Sequence, residues 1–356
     1  MNYQVNNKYK PLLYLIDLIG NLFFFSKKFK KLKIEEVKNI AVIRLDHIGD
    51  SILTFPFFDN LRKEFPKAKI TVITRPANKD ILEYNKSIDE IITINPPWFS
   101  RSKKRYSELL RFARDNYKQF DLLFELHSDP RNILLASLIS KFSVGYGIRG
   151  FGFLLNRVVE YVDEKKHMIQ RNLDILEGIG MKTYFSYPSI KLQKEETEKA
   201  KKPLINNFIN QKIVCVSVGA GRKDKYWLNE KWAKLCNILM RDYGATIIFT
   251  GDAKEEKNIA EIKNKLNSNK YVDLCSKTNL KKLCAIIKNC KLVISPDSAP
   301  IHIAKALSIS SIALFNKEDP LVWGYGDKNV SVFKAGIEKV EVEDVIYQIN
   351  DLKLLC

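Results

Sequence analysis

Residues Ile40–Asp50 read IAVIRLDHIGD: a short run of apolar, mostly β-branched residues, a turn at Gly49, and an acid at the mouth of the next helical pattern, Ser51–Phe65. Such a run reads as a buried strand, and the turn delivers Asp50 close to a helix N-terminus. The pattern recurs outward from there. Ile70–Thr74, Glu90–Ile94 and Leu122–Leu126 are β-branched or apolar runs separated by helical spacing, and Lys212–Val218, Thr246–Thr250, Tyr271–Leu274, Leu292–Ser295 and Ser311–Phe315 repeat it in the second half. Strands alternating with helices predict a parallel sheet covered on both faces. The predicted class is therefore α/β, with two such halves and a ligand expected in the cleft between them, at the carboxyl ends of strands.

The chain has 356 residues, enough for about two domains. Its composition, 46% hydrophobic and 28% charged, with 15 Gly and 12 Pro, excludes a disordered, collagen-like or low-complexity chain. The pattern lapses between Tyr187 and Lys212 into the charged segment KLQKEETEKAKKP, which looks like a helix leading to a second unit. The expected division is an arm at 1–37, a first domain at 38–195, a second at 205–335, and a terminal segment at 336–356 with helical spacing over Val340–Leu355.

With 59 Lys+Arg against 41 Asp+Glu the chain carries +18, which favours anionic partners. Seven of those lysines (Lys8, Lys10, Lys27, Lys28, Lys30, Lys31 and Lys33) lie before residue 34 with a single acid, Asp17. They flank PLLYLIDLIGNLFFF at Pro11–Phe25, which is too short to cross a bilayer and is followed by lysines where a signal peptide would have a cleavage site. This arm reads either as an interfacial helix with a polybasic hook on an anionic membrane or as a helix packed on the body. The six cysteines, Cys215, Cys236, Cys275, Cys284, Cys290 and Cys356, have no zinc spacing and read as small buried hydrophobes of an intracellular protein, with no metal site expected.

Three segments carry candidate chemistry. Asp50 is a candidate general base, with an N-cap as its alternative structural role, and Asp46 and His47 share its turn. In Ser217–Trp227, SVGAGRKDKYW, the backbone of Gly219, Ala220 and Gly221 with Arg222, Lys223 and Lys225 behind it makes a candidate phosphate cradle, without Walker spacing. In Leu292–Leu307, LVISPDSAPIHIAKAL, a strand meets Asp297-Ser298 at a helix start, an arrangement suited to an anion such as a diphosphate, with His302 one turn in. Capping by Asp297 or Ser298 is the alternative there. Gly145–Gly150, GYGIRG, matches G-x-G-x-x-G literally but opens no clear helix, so a dinucleotide site is not expected. No nucleic-acid motif is recognisable.

Taken together, IAVIRLDHIGDSILTFPFFDNLRKEFPKAKITVITRP, SVGAGRKDKYWLNEKWAKLCNIL and SPDSAPIHIAKALSISSIALF resemble, in order, the motifs of glycosyltransferase family 9, the heptosyltransferases of the lipopolysaccharide core. The resemblance spans about Asn39–Lys334. It implies a GT-B fold, two Rossmann-like domains facing across a cleft, and inverting sugar transfer with neither metal nor cofactor. It places Asp50 on the base and Lys225 beside the donor diphosphate. Ala220, Gly221, Asp297, Ser298, Ala299 and His302 fall on the diphosphate-binding segments, and Glu255, in TGDAKEE, near the carboxylate that meets the nucleotide ribose. Ala299 stands where the family usually has Gly, and Asp46-His47 where it has small residues. The implied partners are a nucleotide-diphosphate sugar, ADP-heptose, and a lipid-linked or lipopolysaccharide-core acceptor at the cytoplasmic face of the membrane. Lys103, Lys104 and Arg105 are candidate contacts to acceptor phosphate or carboxylate. A nucleotide-sugar epimerase, which would draw on Glu125, His127 and Asp129, and a non-catalytic binder of anionic lipid or glycan are the alternatives.

Overall fold

A computed structural model describes residues 3–100, 103–161, 165–205 and 212–355. The chain forms two compact units, Met1–Glu164 with Met168–Ser186, and Lys165–His167 with Tyr187–Cys356.

The first unit is built on six parallel strands: β1 (Asn39–Arg44), β2 (Lys69–Thr74), β3 (Glu90–Thr93), β4 (Phe120–Glu125), β5 (Ser140–Gly145) and β6 (Arg157–Val158), in the order β3-β2-β1-β4-β5-β6. β1 is central, and Ile40, Ala41, Val42 and Ile43 are all fully buried because helices cover both faces. The second unit repeats this order with β7 (Ile213–Ser217), β8 (Thr246–Thr250), β9 (Tyr271–Asp273), β10 (Leu292–Pro296), β11 (Ser310–Phe315) and β12 (Asn329–Phe333), arranged β12-β11-β10-β7-β8-β9. Each sheet runs one way from its first strand and then reverses, so its switch point lies between β1 and β4 in the first unit and between β7 and β10 in the second. Trp232 and Phe249 fill the core of the second unit, and Trp227 donates its indole N–H to Val340 O at 2.8 Å.

Several elements differ from expectation. The single helix expected at Ser51–Phe65 is two, Ile48–Leu53 and Phe55–Glu64. Pro56 has no N–H to continue the first ladder, and Thr54 Oγ1 donates to Asp50 O at 2.7 Å across the break. The terminal helix is shorter than its pattern, Val342–Asp351, and opens with a capping box between Glu341 and Asp344. The charged linker does form a helix, Lys194–Ile205. Gly145–Gly150 follows β5 but leads only into a single turn at Gly152–Leu154, with Gly147 and Gly150 at positive φ. Cys215, Cys236, Cys275, Cys284 and Cys290 are buried free thiols, and Cys356 lies outside the described residues.

The arm forms a helix, Lys10–Phe23, packed on the first unit. Asp17, an apparent interruption of its apolar stretch, is the buried anchor: it accepts the N–H of Phe151 at 2.8 Å and the hydroxyl of Tyr3. Gly20 lies so close to Phe153 that a Cβ there would stand 2.5 Å from the ring. Lys27 and Lys30 donate to the carbonyls of Leu154 and Lys141. Among the described residues no helix is long and apolar enough to cross a membrane.

Candidate functional site

Each switch point gathers charged side chains from loops far apart in sequence. In the first unit β1 ends at Arg44, whose side chain is wholly buried although the strand around it is apolar. Its guanidinium donates to Leu126 O beyond β4 at 3.0 Å and to Asp50 O at 3.3 Å, and it lies 3.2 Å from Asp46 Oδ1 and 3.4 Å from Asp50 Oδ1. One cation thus serves two carboxylates. The N-cap of helix Ile48–Leu53 is His47, and Asp50 sits in the first turn, so capping does not account for it. Burial and the neighbouring charge of Asp46 push the Asp50 carboxyl above the usual range, against the opposing pull of Arg44. Asp46 is also pushed up, by burial.

The loop after β4 completes this group. Glu125 is fully buried and accepts the N–H groups of His127 and Ser128 and the amide of Asn132, which braces a turn in which Ser128 adopts φ 57°. Burial pushes its carboxyl up to about 7. His127 lies 3.9 Å from Asp46 Oδ2 and 3.2 Å from Arg149. Burial, reinforced by Arg44 and Arg149, pushes His127 down to about 4, so the ring is neutral at pH 7. Asp129 caps helix Pro130–Ile139. Arg75, which donates to Asp46 O at 3.3 Å, and Arg149 are the cations bordering the group, and single-sequence reading singled out neither. Lys103 and Lys104 begin helix Lys103–Asp115, but their side chains lie outside the described ones, while Arg105 is half-buried on the same helix.

In the second unit the loop after β7 and the start of helix Ala299–Ala306 after β10 meet. Lys225 Nζ is 2.8 Å from Asp297 Oδ2 and 3.2 Å from Glu318 Oε1. Ser298 is the N-cap; its hydroxyl pairs with that of Ser295 at 2.8 Å and makes no bond to the helix N–H groups. Ala299 opens the helix. His302 is buried, with Nδ1 2.8 Å from the Tyr325 hydroxyl and Nε2 3.9 Å from Asp297 Oδ1. Ala220 and Gly221 lie in the loop, and Gly221 has open space beside it. The tight position is instead Gly219, where a Cβ would stand 2.5 Å from Glu255 Cδ. Glu255 is buried against that loop and accepts the Tyr226 hydroxyl and the Asp252 N–H. Lys225, Asp297, Ser298, Ala299 and His302 therefore form one cluster, and Glu255 flanks the same loop.

Glu318, in the turn after β11, was not foreseen. Its Oε1 lies 3.2 Å from both Lys225 and Arg222, and its Oε2 is buried without a hydrogen-bond partner. The residue stands 93 positions after Lys225, and only the strand signal of β11 could have hinted that its turn reaches the same sheet end. A cation, a small-residue loop and free helix N–H groups converging at a switch point suit a phosphorylated ligand. Desolvated carboxylates at the other switch point suit proton abstraction. Among the described residues no group of three His, Cys, Asp or Glu side chains is arranged to hold a metal ion.

Known proteins resemble this chain over most of its length. A profile described as glycosyltransferase family 9 (heptosyltransferase) matches residues 116–346. Lipopolysaccharide heptosyltransferase 3 of Escherichia coli K12 is 26% identical over 296 residues, 81% of this chain and 85% of that protein. The lipopolysaccharide core heptosyltransferase OpsX of Haemophilus influenzae is 26% identical over 315 residues, 86% of this chain and 87% of that protein. Among solved structures, a family 9 glycosyltransferase of Veillonella parvula superposes with a TM-score of 0.77 at 23% identity, covering 89% of this chain and 97% of that one. The ADP-heptose lipopolysaccharide heptosyltransferase II of E. coli superposes with a TM-score of 0.73 at 21% identity, covering 89% and 98%. The two parallel sheets and these neighbours establish the α/β class and a GT-B fold of two Rossmann-like domains.

Proposed function

The chain belongs to glycosyltransferase family 9 and is a glycosyltransferase, and we propose that it moves a heptose from ADP-heptose to a lipopolysaccharide-core acceptor with inversion at the anomeric carbon. Asp50 takes the proton of the acceptor hydroxyl as its oxygen attacks the anomeric carbon. The bond from that carbon to the diphosphate oxygen breaks, and the electron pair leaves with the nucleotide. A single displacement of this kind inverts the centre. Lys225 and the N–H groups at the start of helix Ala299–Ala306 offset the charge growing on the leaving diphosphate, so no divalent metal or cofactor is required. Asp297, Ser298, Ala299 and His302 hold the donor beside the loop at Ala220 and Gly221, and Glu255 receives the ribose hydroxyls.

The observation that carries this reading is the desolvated Asp50, held by Arg44 at one switch point, in a chain whose other switch point presents Lys225 at a helix start. A base raised toward the working pH accepts a proton more effectively than an ordinary carboxylate. The relatives' names, heptosyltransferases of lipopolysaccharide, support the donor and acceptor classes. A lipid-linked acceptor sets the reaction at the cytoplasmic face of a membrane, with nucleic acid having no part in it. Lys103, Lys104 and Arg105 remain proposed acceptor contacts, and charge reversal there should raise acceptor KM.

The test is donor-dependent transfer followed by mass spectrometry, with ADP-, UDP- and GDP-sugars, a heptose-deficient lipopolysaccharide acceptor, and chelator present throughout. Product from ADP-heptose with the wild type but not with Asp50→Asn is expected. Transfer at a similar rate by Asp50→Asn would reject the base, loss of transfer in chelator would reject metal independence, and absence of product from every donor would reject the reaction.

A further inference from the structure

One side of helix Lys10–Phe23 is occupied by the first unit, through Asp17, Gly20 and the ring of Phe153. The other side is not. Leu12, Leu15, Leu18, Ile19, Leu22 and Phe23 recur at three- and four-residue spacing along one stripe, each between 46% and 78% exposed. Phe25 and Phe29 extend the stripe into the following turn and are also exposed. An uncovered apolar stripe of this length marks a contact with something else. Its rim is basic: Lys8 and Lys10 precede the stripe, and Lys28, Lys30 and Lys31 follow it, before Lys33, which pairs with Glu36 at 2.7 Å. The arm's single acid before residue 34 is turned inward and spent on Phe151 and Tyr3, so it cancels none of this charge at the exposed face.

We propose that this face is a docking surface for an anionic lipid bilayer, with the stripe seated at the boundary between headgroups and acyl chains. At 1.5 Å per residue a helix of 14 residues is about 21 Å long, short of the roughly 30 Å hydrocarbon core, so it lies in the interface. The lysines decide between a membrane and a second copy of this chain. Pairing two stripes would bring two lysine-rich rims together, whereas anionic headgroups neutralise them. Because the arm is hydrogen-bonded to the first unit before, within and after the helix, through Gln4, Asp17 and Lys27 to Ile148, Phe151 and Asn156, seating the stripe fixes that unit's orientation to the leaflet. Here the inference deepens the proposed reaction, whose lipid-linked acceptor lies in such a leaflet.

Vesicle flotation without donor or acceptor separates this inference from the reaction. The wild type is expected to float at least about tenfold more with phosphatidylcholine vesicles containing phosphatidylglycerol than with phosphatidylcholine alone, and less as salt rises. The double substitution Leu18→Glu with Leu22→Glu leaves the docked side untouched. It should lower vesicle binding about tenfold or more while leaving transfer to a soluble, delipidated core oligosaccharide unchanged. Equal flotation with both vesicle types, undiminished binding by the double variant, or a wild-type dimer in light scattering that the double variant abolishes would each overturn the proposal. If neither protein transfers sugar but flotation behaves as stated, the reaction fails and the docking surface stands.

Discussion

Replacing Glu318 by glutamine removes one negative charge from the group that holds Lys225 and Arg222. In the free enzyme Lys225 lies 3.2 Å from Glu318 Oε1 and 2.8 Å from Asp297 Oδ2. A diphosphate oxygen accepting from the far side of the ammonium would then stand about 6 Å from the Glu318 carboxylate. At an effective dielectric of about 20, two like unit charges at that distance repel by about 3 kcal/mol. The carboxylate is 17% exposed and keeps Arg222 as a partner, so screening leaves about 1 kcal/mol of this. Glu318→Gln should therefore bind ADP about five- to tenfold more tightly by isothermal titration calorimetry, and more slowly released product should lower kcat if release limits turnover. The sign is the informative part. A residue that merely braced the loop would weaken ADP binding when altered, and unchanged or weaker binding by a variant that melts with the wild type would refute the electrostatic argument.

Other outcomes follow from the same geometry. Asp50 is held above the ordinary carboxylate range by burial and then by Asp46, so its base form is lost at a higher pH than a solvated aspartate's; Asp46→Asn removes the like charge and should move the acidic limb of the kcat/KM profile to lower pH, with an unmoved or alkaline-shifted limb counting against the pairing. For folding, a carboxyl whose folded-state pKa is raised costs stability once pH rises above its unfolded value, so Asp50→Asn should melt no lower than the wild type at pH 7, and a lower Tm would contradict the raised value. Gly219→Ala puts a Cβ 2.5 Å from Glu255 Cδ and should raise the donor KM about tenfold with a smaller change in kcat, provided Glu255 receives the ribose. Asp17→Leu leaves the half-buried N–H of Phe151 and the buried Tyr3 hydroxyl without their acceptor at a cost of about 1–3 kcal/mol, and should make the arm the first site cut in limited proteolysis.

The sequence reveals β1 to β4 and β7 to β11, most of them continuous apolar runs buried on both faces, with β3 and β9 only half-buried. β5 escapes because it reads SKFSVG. Its serines are buried but satisfied, Ser140 Oγ by Ala136 O and Ser143 by Asn156 Oδ1, and no local pattern announces partners that are themselves tertiary. The same blindness covers Asp17, which looks like a flaw in an apolar helix until Phe151, 134 residues later, supplies its donor. The GYGIRG segment has its strand, but its glycines serve a different end: a Cβ at Gly150 would stand 2.8 Å from Leu13 Cδ2, so the turn is shaped to receive the arm.

Site residues divide along the same line. Asp50, Lys225, Asp297 and His302 stand beside strand ends and helix starts, which local pattern locates well. Arg44 and Glu318 also lie at or just after strand ends, but nothing local marks them, because what makes each matter is a contact made across the sheet, to Leu126 O from one and to Arg222 and Lys225 from the other. Their positions suggest why the two units share one strand order yet differ in chemistry. In the first, one buried arginine is set against two carboxylates, and burial with the like charge of Asp46 raises the Asp50 carboxyl. In the second, Lys225 stands at a helix start between the carboxylates of Asp297 and Glu318, with which the diphosphate of the proposed donor would compete. Exchanging the sign of either centre should therefore be more damaging than neutralising it: Asp50→Lys would place a second cation beside Arg44, and Lys225→Glu would add a third carboxylate to Asp297 and Glu318. Each should fall below its neutral counterpart, Asp50→Asn or Lys225→Gln, in ADP-heptose turnover, and equal residual rates in the charged and neutral variants would mean that shape and not charge sets these positions.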